Sequence, residues 1–204
     1  ELHTMTVNSM HKVGAADCAR VTRQRGAGLV EVLVALLVFS VGILAVTAMQ
    51  LAAKRSAFEA TQRSIATSLA RDIIERIRTN PGEVGSYVVS ELGENPVTYA
   101  TDCNTSSCTP AELAQLDIFE WNALLQGASE QVDIDGVATN AGGLVDSRAC
   151  IAAQDGRVIV TIAWRGMTEL ADEDASDCGK DSGLYGDENR NRRLLVMSTF
   201  IRTG

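Results

Sequence analysis

From Val32 to Met49 the chain runs for 18 residues without a charge, and 11 of them are Leu, Val, Ile or Phe. An apolar stretch of that length reads as a membrane-spanning helix and not as a helix of a soluble core. The pattern then changes without a break. Residues 54–79 contain neither Gly nor Pro and set Phe58, Ile65, Leu69, Ile73 and Ile77 largely at three- to four-residue steps. Arg55, Glu59, Arg63, Arg71 and Glu75 take the opposite face. The spacing predicts a single helix that continues out of the apolar run and stops at Asn80-Pro81-Gly82, because proline disfavours helix in the residue before it. At 1.5 Å per residue, a helix of about 53 residues is about 80 Å long, so half of it belongs in a membrane or a filament. The Ile and Leu stripe of the second half reads as core packing.

Residues 81–109 read as irregular, punctuated by Gly82, Gly85, Gly93 and Pro96. A second helix is announced by Thr109-Pro110-Ala111-Glu112, a capping box with proline at the first helical position. Ala114, Ile118, Trp121 and Leu125 form its buried stripe, and Gly127 suits its C-terminal stop. The last third reads as strands at residues 148–153, 157–165 and 194–201. In the second of these, Val158, Val160, Ile162 and Trp164 alternate with Ile159, Thr161 and Ala163. Residues 169–193, rich in Asp, Glu, Gly and Asn, are too long for a hairpin turn and read as a surface excursion.

Charge orients this layout. Residues 1–26 hold four Lys or Arg against two acids, whereas the remainder holds 14 against 24. Because cytoplasmic flanks are enriched in Lys and Arg, the short N-terminal piece belongs inside and the acidic bulk outside. A formal net charge of -8 also makes nucleic acid an unexpected partner. Beyond the span lie four cysteines, Cys103, Cys108, Cys150 and Cys178, in a compartment that permits disulfides. Three connectivities are open to them. Proximity favours Cys103 with Cys108 around the four residues Asn104-Thr105-Ser106-Ser107, and elimination then leaves Cys150 with Cys178, tying the excursion to the first of the late strands.

Candidate catalytic chemistry is thin. Both histidines, His3 and His11, precede the span, which excludes His-based triads, shuttles or metal sites in the rest of the chain. There is no P-loop, dinucleotide fingerprint or nucleophile elbow. The acidic cluster Asp172, Glu173, Asp174, Asp177 and Asp181 lacks EF-hand spacing and reads as a solvated loop, not a calcium site. No metal or cofactor is expected, and no enzymatic activity. One acid stands apart: Glu31 lies at the edge of the apolar run. A carboxylate there costs a few kcal/mol on insertion scales and is by default a functional residue.

The basic leader followed by Gly26-Ala27-Gly28-Leu29-Val30-Glu31 and an apolar helix resembles the class III leader of type IV pilins and type II secretion pseudopilins. In that family a prepilin peptidase cuts after the glycine and methylates the new N-terminus, leaving a glutamate a few residues downstream. The resemblance implies cleavage between Gly26 and Ala27, N-methylation at Ala27, and Glu31 as an assembly contact. Ala27 and Gly28 depart from the usual Phe and Thr. Further along, residues 102–125, with Cys-x4-Cys and Asp117-x3-Trp121, and the helix end Arg71-Asp72-Ile73-Ile74-Glu75-Arg76-Ile77-Arg78-Thr79-Asn80-Pro81 look like the PilV kind of minor pilin.

What the resemblance implies is an α+β pilin fold: a long N-terminal helix, membrane-spanning in its first half, packed on an antiparallel sheet of three to four strands, with one extra helix. The domains would be a leader at 1–26, a membrane and filament-core segment at 27–53 and a periplasmic head at 54–204. The function would be that of a minor pilin that primes pilus assembly at or near the filament tip. A minor pseudopilin of type II secretion is the alternative, and a membrane-anchored periplasmic sensor or binding domain a more distant one. Expected partners are other minor pilins, the major pilin, the prepilin peptidase, the inner-membrane assembly platform and a tip adhesin. The expected location is the bacterial inner membrane, then the pilus at the cell surface.

Overall fold

The computed structural model describes residues 26, 28–93, 97–171 and 175–202. The leader up to residue 25, Ala27, Pro96 and the acids Asp172, Glu173 and Asp174 therefore lie outside the described residues. The chain divides into two compact units, with the boundary between Thr47 and Ala48.

Helix α1 runs Leu29–Thr79 without a break, and Gly42 within it meets no neighbouring atom. Within the first unit its large side chains are exposed, among them Leu36, Phe39 and Leu44. In the second unit α1 is amphipathic, and its buried residues begin at Gln62 and continue through Ala66, Ala70, Ile73, Ile74 and Ile77. Ile65 and Leu69 are only partly buried against the same core. The deepest row is therefore built partly from alanines, which let a neighbouring backbone or ring approach closely. Trp121, fully buried, packs here and donates from its indole N–H to the Leu69 carbonyl (2.9 Å).

The second unit is a four-stranded antiparallel sheet in the order β1-β4-β5-β6, with β1 at Val89–Leu92, β4 at Arg148–Gln154, β5 at Arg157–Arg165 and β6 at Arg192–Phe200. Strands β4 to β6 fall within two residues of the three segments read as strands. In β5 the side chains of Val158, Val160, Ile162 and Trp164 fill the core shared with α1, opposite Ile151 and Ala149 of β4. Helix α2, Pro110–Leu125, carries the full capping box at Thr109 and Glu112. It ends where Gly127 turns at φ +79°, and a Cβ there would sit 1.8 Å from the Gly142 carbonyl oxygen, so no other residue fits that turn.

Three features differ from the sequence reading. Residues 81–109 are not wholly irregular, because Pro81–Tyr87 forms a 3-10 turn and β1 pairs with β4 through a register irregularity. A separate hairpin, β2 at Gln131–Ile134 and β3 at Val137–Asn140, turns through Asp135-Gly136, both at positive φ. The excursion before β6 differs only in detail: its described residues are mostly exposed, as read, but Cys178, Gly179 and Tyr185 pin it to the outer face of the sheet. Tyr185 is fully buried there with Ala163 and Leu194, its hydroxyl donating to the Asp146 carbonyl (2.9 Å). Arg192, 2% exposed, donates to the carbonyls of Ser176 and Cys178.

Two disulfides staple these regions: Cys103–Cys108, with Cα atoms 5.4 Å apart, and Cys150–Cys178, with Cα atoms 5.9 Å apart. The chain-entropy model assigns about 3 to 4 kcal/mol to the longer loop and about 2 kcal/mol to the shorter. Urea denaturation of the paired Cys→Ser variants should therefore show the larger loss of stability for Cys150→Ser/Cys178→Ser. Equal losses would place the stabilisation outside loop closure.

Candidate functional site

Two features of the described residues stand out, the exposed apolar start of α1 and a polar network at its C-terminal end, and no group of three or more His, Cys, Asp or Glu among them could hold a metal ion. The N-terminal surface starts at Gly26 and Gly28, the latter accepting hydrogen bonds from the amides of Glu31 (2.9 Å) and Val32 (3.2 Å) to open α1. Glu31 sits in the first helical turn, where unsatisfied N–H groups favour a negative charge. Its side chain is exposed, with no side-chain hydrogen bond or ion pair among the described residues. Around it Leu29, Val30 and Leu33 are more than half exposed. A carboxylate among bare apolar side chains, on a helix whose best window has a mean hydropathy of 2.8, is an arrangement that calls for a partner.

In the second unit, a polar clamp fixes the C-terminal end of α1 to α2. The Arg76 guanidinium reaches three carboxylates: Asp72 one turn back (3.0 Å), Asp117 (2.9 Å) and Glu120 (2.8 Å) of α2. Burial opposes the Arg76 charge, but the bonds to Glu120 and Asp117 and the field of Asp72 outweigh it and raise its pKa. Asp117 also accepts from the hydroxyl of fully buried Tyr87 at 2.6 Å. Burial, and then donation to Asp117, pushes the Tyr87 phenol well above its ordinary value. Asn80, the residue that ends α1, donates to the Tyr87 oxygen (3.3 Å) and to the Pro110 carbonyl (2.7 Å). The helix stop, the 3-10 turn and the start of α2 thus share one hydrogen-bond network.

The short disulfide loop flanks that junction. Thr79, Asn80, Leu113 and residues 103–110 line an open depression of about 730 Å³ beside it, with polar and apolar walls in about equal measure. At its rim Glu112 accepts from the Thr101 hydroxyl (2.6 Å) and from the Thr109 amide and hydroxyl (both 2.8 Å). These bonds, that of Thr101 foremost, hold the Glu112 carboxyl down at about 2. The described acids of the excursion do not converge: Asp177 is exposed and pairs with Lys180 (3.6 Å), and Asp181 is exposed elsewhere in the turn.

Sequence reasoning named Glu31, the cysteines and the Thr109–Glu112 cap, but it missed Arg76, Tyr87 and Asn80 as one unit. The available signal was the charge pattern Asp72-x3-Arg76 on the helix and Asp117-x2-Glu120 on the next. Missed also was Gln62, buried and bracketing backbone at both ends, its amide donating to the Gly143 carbonyl (3.4 Å) and accepting from the Val145 N–H (3.1 Å).

Residues 21–47 match the model of the prokaryotic N-terminal methylation motif, and residues 48–119 match that of a family described as Tt1218-like, type IV pilin Tt1218. No curated protein and no solved structure matches the chain significantly. The two matches abut, and the second takes in the α1 end, the 3-10 turn, the short disulfide loop and most of α2.

Two outcomes follow from the clamp and the cap. A double-mutant cycle of Arg76→Met and Asp117→Asn, read by urea denaturation, should give a coupling energy of about 1 to 3 kcal/mol. A value near zero would make Asp117 a hydrogen-bond acceptor for Tyr87 alone. For Glu112, a carboxyl lowered in the folded state contributes stability above its unfolded value of 4.5 and loses it as the pH falls toward about 2. Amide signals of Thr109 and Glu112 should therefore report loosening of the first turn of α2 across that window, and Glu112→Gln should abolish the titration.

Proposed function

We propose that this chain, which matches a type IV pilin model over part of its length and carries a pilin-like α+β fold, is a minor pilin that primes assembly at or near the tip of a type IV pilus. The carrying observation is the methylation-motif match at residues 21–47, directly followed by the type IV pilin match at 48–119. The long apolar helix fits membrane anchoring, with the acidic remainder as a periplasmic head before entry into the pilus. In this reading a prepilin peptidase cuts between Gly26 and Ala27 and methylates Ala27. The apolar half of α1 then holds the subunit in the inner membrane until the assembly platform passes it into the filament, where neighbouring helices replace lipid around Leu36, Phe39 and Leu44.

Glu31 supplies the docking charge. A carboxylate at the bilayer edge gains little in a monomer, but the amine freed at Ala27 of a neighbouring subunit lies at the same depth and neutralises it. The PilV kind of minor pilin is favoured by the Cys103–Cys108 loop and by the pair Asp117 and Trp121, both of which face the end of α1. Other minor pilins, the major pilin and a tip adhesin are the partners this role requires.

The role is tested by deleting the gene and measuring piliation alongside type II secretion in the same strain. Loss of pili with secretion intact is expected, and the reverse result would assign the chain to secretion. N-terminal mass spectrometry of membrane fractions should find a methylated Ala27 that disappears without the peptidase, and a mature N-terminus beyond residue 49 would overturn the pilin reading. Glu31→Gln should be inserted and cleaved normally while entering the pilus poorly. Glu31→Leu assembling as well as the unchanged chain would reduce the carboxylate to a tolerated interfacial residue.

A further inference from the structure

After Glu31 the chain carries no charge for 22 residues, and the first to break the run are Lys54 and Arg55. Neither has a hydrogen bond or ion pair among the described residues, and both are exposed. The same is true of Arg63, two turns further along the Arg55 face. If the apolar half of α1 spans a bilayer, Lys54 and Arg55 lie where hydrocarbon gives way to the headgroup layer, which is about 5 to 8 Å deep on each side.

A loop from the far end of the chain comes to this level. The Met167 amide donates to Glu59 Oε1 at 2.6 Å, and Glu59 Oε2 lies 3.7 Å from Arg193 Nε, so the carboxylate is neutralised and spent on holding the loop to the helix. Glu59 is one turn, about 6 Å, beyond Arg55, and helical side chains lean back toward the N-terminus, which brings its carboxylate nearer still. Ala52, Arg55, Ser56, Glu59 and Thr168 line a cleft of about 420 Å³. Thr168 thus reaches the last turn of the apolar run. Beside it Met167 and Leu170 are 56% and 55% exposed, two large apolar side chains on a loop tip that the described residues leave half uncovered. The whole arrangement lies within the second unit.

From these contacts we infer that residues 166–170 and the Arg55 face of α1 form a docking surface for the phosphate layer of an anionic bilayer. Met167 and Leu170 enter the interface, while Lys54 and Arg55 meet lipid phosphates, with the hydroxyls of Ser56 and Thr168 as further donors at the cleft. The occupant follows from continuity and charge: the surface begins where the membrane helix leaves the hydrocarbon, and it combines unpaired cations with exposed apolar tips, the composition of an interfacial segment. The rest of the head sharpens the effect. After residue 26 the chain holds 24 acids against 14 Lys and Arg, so an anionic surface repels most of it and attracts this face. The outcome is a preferred seating of the head on the membrane before extraction.

The inference rests on the membrane-anchor reading of α1, and the experiment separates the two. The full chain is reconstituted into nanodiscs of phosphatidylcholine alone or with 30% phosphatidylglycerol, and backbone hydrogen exchange is followed. The Thr168 and Glu169 amides have no acceptor among the described residues, so their protection reports the bilayer. Exchange across residues 167–170 should slow by about fivefold or more in the anionic discs, the effect expected of one or two cations at the surface. That difference should vanish in 0.5 M salt and in Arg55→Gln. Met167→Gln/Leu170→Gln, at exposed positions that leave the core intact, should exchange quickly in both discs. A chain that fails to enter discs overturns the anchor reading and this inference together. Equal exchange in the two lipids, or protection unchanged in the Met167/Leu170 variant, overturns the docking surface alone.

Discussion

Arg76 is the residue on which the geometry of the head turns. A single guanidinium joins a carboxylate of its own helix to two on α2, and through Asp117 it engages the Tyr87 hydroxyl. Such a group is costly to desolvate unless every bond is made, and here the donors and acceptors interlock: Asn80 donates to Tyr87, Tyr87 to Asp117, Arg76 to Asp117. Apolar burial is non-directional and by itself leaves the register of α2 against α1 loosely set. Directional bonds remove that freedom. The Trp121 indole bond to the Leu69 carbonyl fixes the same register from the other side.

Much of this fold was legible because its largest elements obey strong local rules. The end of α1 follows from Asn80-Pro81, the start of α2 from the capping box, and β4 to β6 from apolar or alternating runs. What stayed hidden depended on weaker signals. Strand β1 is four residues long and borrows its regularity from β4, so nothing in Val89–Leu92 announces it. The β2–β3 hairpin carries the Asp135-Gly136 turn signal between Val132, Ile134 and Val137, a pattern that could have been read. The deep row of α1 was obscured for another reason: large apolar residues mark a stripe in the sequence, whereas here Gln62, Ala66 and Ala70 lie beneath the partly covered Ile65 and Leu69.

The excursion before β6 shows how an acidic segment can nevertheless pack. Few of its side chains are apolar, and hydrophobic burial could not hold it to the sheet unaided. It is held by the Cys150–Cys178 bond, by Arg192 donating to the Ser176 and Cys178 carbonyls, and by Tyr185 with Leu194 and Ala163. Sequence reading weighed the acids and found a solvated loop. The Cys150–Cys178 tie was part of that reading, whereas the buried Arg192 and Tyr185, which pin the segment locally, were not.

The two ends of α1 answer to opposite demands. From Gln62 onward the helix is fixed by its own chain, with Gln62 and Arg76 bonded internally and its deep row covered. At its start the same helix keeps Leu29, Val30 and Leu33 bare and Glu31 unpaired, a state that water tolerates poorly and that only lipid or another helix relieves. Because the core draws on none of these residues, changes to the exposed end can alter association without loosening the head. The separation also explains why the charges fall where they do. Inside the head the shielded arginines Arg76, Arg148 and Arg193 are each matched by a carboxylate, where a mismatch would cost stability. At the start of α1 and at Lys54 and Arg55 charges are left unmatched, and an unpaired charge can there select what it meets.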